Sequence, residues 1–522
     1  MLSTIAAVVL LLAFAVDCGV LTLRTVHMLQ LNSYRPERYG GWMKAHKDEL
    51  MKTYGWLLIA VVAVGAYLLA PTDWVVRAVC AALFVIHLIL SWPPKAKKPL
   101  VFTPRVRRLL VTHGLLLVLV GGGVALTGFN RLGVALLFLW AVLTPFVTLL
   151  ALLINTPMEK AVTGHYIKDA RRRLADMPDL MVIGITGSYG KTSTKNFLNT
   201  LLSARYNVLM TPESFNTPLG VVRTVREHLT PSHQVFIAEM GAKNVGDIRE
   251  ICDLVHPRCG MITAIGEQHL ETFKSLDNII RTKFELADAI PAGGTVVLNT
   301  DNEHIRARLA AQPPTGRTVT YGLQRADYTA DGLTVDSRGS AFTVTGPDGE
   351  SARFTTRLLG AHNIQNIVGC IAMACALGIE LKELVYPVKT LKPVEHRLQL
   401  LPNGYIDDAY NSNPAGFRAA LDVLAGFEGQ RVLVTPGMVE LGERQEALNR
   451  ELGAYAASRC DYAVLVGEKQ APPLKEGLLS AGFAEDRLYV AADLQDGLKF
   501  VNTLPADGPR TVLLENDLPD NF

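Results

Sequence analysis

A glycine-rich turn lies between a predicted buried strand and a predicted helix. Residues 180–183, LMVI, form an apolar run typical of a buried strand, and residues 195–203, KNFLNTLLS, have the apolar spacing of a helix. The intervening GITGSYGKTST contains Gly187 and Gly190, which allow the backbone to approach phosphate oxygens closely. This order of strand, turn and helix predicts a phosphate-binding loop, although Ile185 stands where the common P-loop pattern has its first glycine.

Two side chains of this turn have predicted roles with a nucleotide. Lys191 is placed to reach the β- and γ-phosphates, and Thr192 is placed to hold Mg²⁺. The turn therefore predicts nucleotide binding by itself.

The N-terminal third is far more apolar than an average soluble protein. The chain of 522 residues is 49% hydrophobic and 19% charged, and the apolar excess lies in residues 1–155. Five stretches there are each close to the length that crosses a bilayer as a helix. They cover residues 3–23, 54–72, 74–92, 109–128 and 133–154. The first lacks the basic start and the cleavage site of a signal peptide.

The charges of the loops predict the orientation of these spans. The loop at 93–108 carries basic residues and no acid, the loop at 24–53 is also rich in basic residues, and Arg171–Arg173 follow the last span. Five spans with the N-terminus outside place all of these in the cytoplasm. Residues 156–522 are then cytoplasmic, and the chain is a multi-pass protein of the cell membrane. Asp17, inside the first span, is either a functional acid or a residue near the headgroups.

Charge and cysteine content constrain the function further. The net charge of +2 gives no reason to expect a nucleic-acid partner. The seven cysteines have neither a CxxC motif nor a zinc-ligand spacing, so we predict buried free thiols in a reducing compartment.

From about residue 178, short apolar strands alternate with helical segments, which predicts an α/β fold with a largely parallel sheet. The predicted strands include MVIGIT, QVFIAEMG, GMITAIG, GTVVLN, RVLVTPG and YAVLVG. Residues 325–357 instead predict antiparallel strands, and the pattern changes again near residue 390. We therefore predict a transmembrane helical region, a basic cytoplasmic linker, a central nucleotide-binding domain and a C-terminal domain, at 1–155, 156–177, 178–392 and 393–522.

Several polar residues stand at the ends of predicted strands. Glu239 ends a strand at the sheet edge where ligands bind, so it could hold a metal that bridges phosphates or be an ordinary solvated acid. His269 follows another strand, and Lys283 lies on the next predicted helix; each could equally be structural. Asp408 ends a strand before a turn-rich segment, where an acid can hold a ribose hydroxyl or simply shape the turn.

Three further residues could contact a nucleotide. Asn363 and Asn366 lie at the start of an apolar helix, where one asparagine is an ordinary cap and the second could read a base edge. Arg397 offers a fixed positive fork for phosphate.

These residues lie in motifs that occur together in one order. The motifs are TGSYGKTSTK, EMGAKNVGDI, HLETFKS, TKFE, HNIQN, EHR, DDAYNSNP and PGMVELGE. Over about residues 178–500 the chain resembles the Mur ligase family, and within it the MurF type, which adds D-alanyl-D-alanine to UDP-N-acetylmuramoyl-tripeptide. The resemblance implies a Mur ligase P-loop ATPase domain, a Rossmann-like C-terminal domain and an ADP-forming, ATP-dependent amide ligase.

The resemblance also implies a role for each matching residue, with ATP and Mg²⁺ as cofactors. The implied catalytic residues are Lys191, His269, Lys283 and Arg397. The implied metal site consists of Thr192, Glu239, His269 and Lys283, with Lys283 carried as a carbamate. The implied ATP site consists of Gly187, Ser188, Gly190, Lys191, Thr192, Ser193, Asn363, Asn366, Arg397 and Asp408, with the asparagines at adenine and Asp408 at ribose. The implied substrate residues are Asn216, Asn411 and Asn413.

The chain also departs from the family pattern. No segment resembles the domain that holds the UDP end of the substrate, and the apolar spans occupy its place. Thr217 stands where a second asparagine is usual, and Tyr189 replaces the asparagine of the phosphate loop. We therefore expect intact ATP chemistry and altered recognition of the carboxylate substrate.

Three hypotheses remain open at this point. The chain could join a lipid-linked or membrane-associated envelope precursor to an amino acid or dipeptide amine. It could instead act on UDP-N-acetylmuramoyl-tripeptide and D-alanyl-D-alanine, with the spans serving only as a tether. It could also be an ATP-dependent transporter or sensor that forms no amide. Membrane lipid is an expected partner in each case, because the basic loops attract anionic headgroups.

Overall fold

The computed structural model describes most of the chain. The described residues are 2–48, 50, 54–55, 73–92, 99–127, 131–213, 215–267, 270–336, 339–409, 413–439, 441–467, 471–505 and 508–517. The chain forms two compact units, Met1–His165 and Tyr166–Phe522.

The first unit is helical. Its principal helices are α1 (Leu2–Leu31), α2 (Pro36–Ala45), α3 (Asp73–Leu90), α4 (Pro104–Leu126) and α5 (Arg131–Ala175). Helix α5 extends past residue 165, so most of the segment predicted as a linker, 156–177, is helical.

Within the described ranges, three helices are long and apolar enough to cross a membrane, namely Leu2–Leu31, Pro104–Leu126 and Gly133–Ala175. They correspond to the first, fourth and fifth predicted spans. The third predicted span corresponds to a shorter apolar helix, Trp74–Leu90. Most of the second predicted span, residues 56–72, lies outside the described residues.

These helices carry many exposed apolar side chains. Leu12 is 62% exposed, Leu119 is 71% exposed and Leu126 is 91% exposed. Apolar surface of this extent is typical of a contact with lipid or another protein. Asp17, in contrast, is buried, and its Oδ1 lies 2.7 Å from Nδ1 of His87 on α3. Asp17 therefore links two helices inside the unit.

The second unit contains two sheets. The first has the strand order β2-β3-β1-β4-β5-β6-β7-β8-β9. Its strands are β1 (Met181–Thr186), β2 (Val208–Met210), β3 (Val235–Glu239), β4 (Cys259–Ile262), β5 (Thr295–Asn299), β6 (Arg317–Gly322), β7 (Tyr328–Asp336), β8 (Gly339–Thr345) and β9 (Ser351–Thr356). Pairing is parallel from β2 through β7 and antiparallel from β7 to β9, as the sequence predicts.

Helices cover both faces of this sheet. They are α6 (Lys191–Leu202), α7 (Pro218–His228), α8 (Asp247–Val255), α9 (Leu270–Phe273), α10 (Leu276–Ala289), α11 (Glu303–Ala311), α12 (Ala361–Ala376) and α13 (Val385–Lys389). Successive side chains of a strand point to opposite faces. Ile183 and Ile185 of β1 accordingly pack in one apolar core, whereas Val182 packs in the other. Burial on both faces explains why these strands are continuous apolar runs.

The second sheet begins at Gln399, after the predicted boundary at 392/393, and has the order β10-β11-β15-β12-β13-β14. Its strands are β10 (Gln399–Leu400), β11 (Tyr405–Asp408), β12 (Gln430–Thr435), β13 (Tyr462–Val466), β14 (Leu488–Ala491) and β15 (Arg510–Glu515). Its helices are α14 (Pro414–Ala425), α15 (Gln445–Ala456), α16 (Ala471–Ser480) and α17 (Leu494–Thr503). All pairings are parallel except β10 with β11. The predicted α/β class is confirmed.

Candidate active site

The glycine turn connects β1 to the first turn of α6, where free backbone N–H groups favour an anion. Gly190 has φ +79°, and a side chain there would lie 2.9 Å from Oδ1 of Asn366. A side chain at Gly187 would lie 2.1 Å from Oγ1 of Thr263. The close packing around both glycines leaves no room for a Cβ atom, so the backbone itself forms the surface of the turn.

Neighbouring serines fix the shape of the turn. The Ser188 N–H donates to the Ala264 carbonyl at 2.7 Å, and the Ser188 hydroxyl donates to the Gly266 carbonyl at 3.0 Å. Ser193 is buried in the first turn of α6. Tyr189, which departs from the family pattern, donates its hydroxyl to the Glu267 carbonyl at 2.8 Å. The turn is thereby tied to the segment that follows β4.

Lys191 folds back over the turn. Its Nζ donates to the carbonyls of Gly187 at 2.8 Å and of Ser188 at 3.2 Å. Burial lowers the pKa of Lys191 to about 8; the Glu239 carboxylate opposes this shift and the Arg397 guanidinium adds to it. Both Glu239 and Arg397 therefore act on the ammonium group that the sequence assigns to phosphate.

Glu239 is the point at which several elements converge. It ends β3 and is 1% exposed. Its Oε1 accepts from the Thr192 hydroxyl at 3.2 Å and from the Asn216 amide at 3.0 Å. Its Oε2 lies 3.0 Å from Nζ of Lys195. Asn216, predicted to contact substrate, is thus a direct partner of the predicted metal carboxylate.

Lys283 is buried on α10. Burial lowers the pKa of Lys283 well below its ordinary value, the positive charge of Lys191 lowers it further, and the acids Asp247 and Glu285 oppose the shift. The influence of Lys191 places Lys283 in the electrostatic neighbourhood of the phosphate loop.

The asparagines of α12 lie differently. Asn363 donates its amide to the Leu359 carbonyl at 2.8 Å, so that group stabilises the start of its own helix. Asn366 packs against Gly190 and is the one of the two that meets the phosphate loop. The family resemblance places both at adenine, and the structure gives them separate surroundings.

The C-terminal residues of the predicted site have local partners. Asp408 accepts from the Leu398 N–H at 3.0 Å, and burial raises the pKa of its carboxyl. Asn413, which the resemblance assigned to the substrate, caps α14 by accepting from the Gly416 N–H at 2.9 Å. His269 and Asn411, assigned to the metal and the amine, lie outside the described residues.

The donor set around Glu239 fits Mg²⁺. This ion prefers oxygen ligands and is commonly held by one or two carboxylates together with substrate phosphates. The Thr192 hydroxyl and the Glu239 carboxylate supply such oxygens directly beside the phosphate loop. Among the described residues, no cluster of three or more His, Cys, Asp or Glu side chains could hold a metal by itself.

Comparison with known proteins identifies the family. The model of the Mur ligase middle domain matches residues 185–374, and that of the Mur ligase, glutamate ligase domain, matches residues 396–514. The UDP-N-acetylmuramoyl-tripeptide–D-alanyl-D-alanine ligase of Escherichia coli K12 is 32% identical over 335 residues, which cover 61% of this chain and 73% of the relative. The chain belongs to the Mur ligase family.

Other relatives agree with this assignment. The enzyme of the same name from Bacillus subtilis 168 is 29% identical over 63% of this Mur ligase and 71% of its own length. A crystal structure of MurF from Acinetobacter baumannii superposes with a TM-score of 0.62 at 28% identity, over 68% of this chain and 77% of that one. The implied ADP-forming, ATP-dependent ligase class and the MurF-like fold are confirmed.

Sequence reasoning missed one residue of this site. Lys195 is 1% exposed and pairs with Glu239, yet it was not assigned a role. A signal was present, because Lys195 shares the buried face of α6 with Leu198 and Leu202. A lysine on an apolar helix face is rarely buried without a partner.

Proposed function

We propose that this Mur ligase joins a carboxylate to the amine of D-alanyl-D-alanine, with ATP as a substrate, in the synthesis of a peptidoglycan precursor. The relatives from E. coli and B. subtilis are named as ligases of UDP-N-acetylmuramoyl-tripeptide and D-alanyl-D-alanine. The observation that carries the proposal is the convergence of Thr192, Asn216 and Lys195 on Glu239 beside the phosphate loop.

The first step activates a poor electrophile. A carboxylate oxygen attacks the γ-phosphorus of ATP, and the bond from that phosphorus to the oxygen that bridges the β- and γ-phosphates breaks. ADP departs, and the carboxylate becomes an acyl phosphate. Negative charge accumulates on the transferring group, and positioned cations stabilise it. Lys191, held over the turn, and Arg397, whose charge influences the pKa of Lys191, would be the cations in this role.

The second step forms the amide. The free amine attacks the acyl carbon, a tetrahedral intermediate collapses, inorganic phosphate leaves and the nitrogen loses a proton. The acyl phosphate would be hydrolysed by water that reached it, so an enclosed site favours the amine. Asn216 donates to Glu239, and the loop that carries it could orient the carboxylate.

Mg²⁺ would be held by Thr192 and Glu239, together with His269 and carbamylated Lys283, and would neutralise phosphate charge when bound. Burial lowers the pKa of Lys283, and this supports the carbamate because only a neutral amine reacts with carbon dioxide. Carbamylation would turn this buried amine into an anion with two oxygen donors.

Lys283→Ala tests the carbamate. We expect turnover to be lost and to be partly restored by short carboxylic acids that supply the missing oxygens. Full activity of the unrescued variant would contradict the assignment. Lys389→Ala on α13 is a suitable control for the loss of a lysine elsewhere in the same sheet domain.

The helical unit supports a second candidate for the carboxylate substrate. Its three long apolar helices and exposed leucines suit a bilayer, with the N-terminus outside and residues 156–522 in the cytoplasm. A ligase held at the membrane would meet lipid-linked precursors, so we propose an undecaprenyl-linked muramoyl peptide as the alternative acceptor. Reporter fusions after residues 127 and 178 test the orientation, because the first should report the outside and the second the cytoplasm.

The acceptor is decided by one assay. Detergent-purified full-length protein receives Mg-ATP and D-alanyl-D-alanine, with either UDP-N-acetylmuramoyl-tripeptide or its undecaprenyl-linked counterpart. ADP release is recorded, and products are identified by mass spectrometry. An amide on the UDP substrate supports the first proposal, and an amide only on the lipid-linked substrate supports the second. ATP hydrolysis without any amide would contradict both and favour an ATP-driven membrane device.

A further inference from the structure

We propose that Lys195 is a positioning residue that couples the loop carrying Asn216 to the metal carboxylate Glu239. This inference rests on the proposed function only for the identity of the acceptor. The coupling itself is a property of three side chains and one backbone carbonyl. We name residues 211–213 and 215–217 the acceptor loop.

Lys195 and Glu239 form a buried ion pair. Each is 1% exposed, and the Lys195 ammonium lies 3.0 Å from Glu239 Oε2. Buried charges are strongly unfavourable unless they are paired and hydrogen-bonded. Lys195 lies one helical turn after Lys191, so the helix that starts at the phosphate loop also supplies the counter-ion of the carboxylate.

The same ammonium holds the acceptor loop. Lys195 Nζ donates to the backbone carbonyl of Glu213. Glu213 has φ +40°, in the left-handed region that residues other than glycine rarely adopt. Such a conformation persists only where surrounding contacts impose it. The bond from Lys195 is one such contact, and it is formed by a group that is itself fixed by Glu239.

A second tie closes the network. The Asn216 amide donates to Glu239 Oε1 at 3.0 Å, and the Asn216 carbonyl accepts from the Gly241 N–H at 2.7 Å. The acceptor loop is therefore attached at Glu213 through Lys195 and at Asn216 directly, with both attachments leading to one carboxylate. A displacement of Glu239 would be transmitted to the loop at two points.

This arrangement gives Lys195 two effects of opposite sign. Its positive charge is adjacent to the carboxylate that would bind the metal, so it weakens the attraction of that carboxylate for a divalent cation. It also keeps the acceptor loop in place, which favours carboxylate binding. Loss of Lys195 should therefore tighten metal binding and weaken acceptor binding, whereas general damage to the fold would weaken both.

Lys195→Met in the full-length protein tests this split. Mn²⁺ binding in the presence of ADP is measured by electron paramagnetic resonance, and the KM for the acceptor is measured separately. We expect the Mn²⁺ dissociation constant to fall by about tenfold and the acceptor KM to rise by about tenfold. Lys195→Arg, which keeps the charge, should leave Mn²⁺ binding close to wild type.

Lys382→Met is the matched control. It removes the same side chain from a site that is 74% exposed, where the ammonium pairs with Glu350, and it should change neither quantity. If Lys195→Met fails to fold, Lys195→Gln removes the same charge while keeping a polar side chain at this buried position. Weaker or unchanged Mn²⁺ binding in a folded neutral variant would overturn the proposal. The Mn²⁺ measurement needs no amide product, so it stays informative even if the proposed acceptor is wrong.

Discussion

Gly190→Ala tests whether the phosphate loop requires glycine for its backbone and for its contact with Asn366. At φ +79°, a residue with a Cβ is destabilised by about 1–2 kcal/mol. The new methyl group would lie 2.9 Å from Asn366 Oδ1 and 3.0 Å from Asn366 Nδ2, so this amide must move by a few tenths of an ångström. We expect a loss of about 1–2 kcal/mol in stability together with weaker ATP binding, since the moved amide meets the nucleotide site.

Gly378→Ala is the matched control. Gly378 has φ +85°, but no atom lies within 4 Å of the position of its added Cβ. The free-energy cost of the positive φ is therefore the same in both variants, and only Gly190→Ala adds a close contact with a neighbouring side chain. Thermal unfolding should show losses of about 2–8 °C for both variants, while calorimetric titration with ATP should show weaker binding only for Gly190→Ala. Equal ATP affinities in the two variants would refute the role assigned to the contact with Asn366.

Three further predictions follow from particular contacts. Burial lowers the pKa of Lys191 to about 8 from an ordinary value near 10.5, so as the pH rises the folded chain loses this proton before the unfolded chain does. ATP affinity should therefore fall as the pH rises above 8, whereas the stability of the apoprotein should rise between pH 8 and 10.5. A pH-independent ATP affinity across this range would contradict the role of Lys191. Tyr189→Phe removes the hydrogen bond to the Glu267 carbonyl and should lower the free energy of unfolding by about 1 kcal/mol in denaturant titrations. Tyr189→Ser should lower it further, because the ring that packs against Gly266 is also lost. Asp17→Leu removes the 2.7 Å contact with His87 between two helices. It should lower the stability of the detergent-solubilised protein by about 1 kcal/mol and leave ADP release unchanged. A loss of ADP release without a loss of stability would instead assign Asp17 a functional role.

The local pattern of the sequence was sufficient for much of the fold. Apolar runs of strand length, glycines in the turn and the spacing of the following helix depend on neighbours within about ten residues, and they placed β1, the phosphate loop and α6 correctly. The same holds for the antiparallel strands between residues 325 and 357. Length and hydropathy likewise identified the three long apolar helices.

The contacts of the site were decided by the tertiary structure. Lys195, Asn216 and Glu239 are separated by up to 44 residues and meet only because β3 pairs with β1 in a fixed register. Strand order and register depend on long-range packing, which local propensity does not specify. For the same reason the sequence could not show that Asp17 contacts His87, 70 residues away. The sequence by itself determined which chemical groups this ligase possesses and on which elements they stand; the tertiary structure alone decided which of them meet, because each meeting joins segments that are distant along the chain.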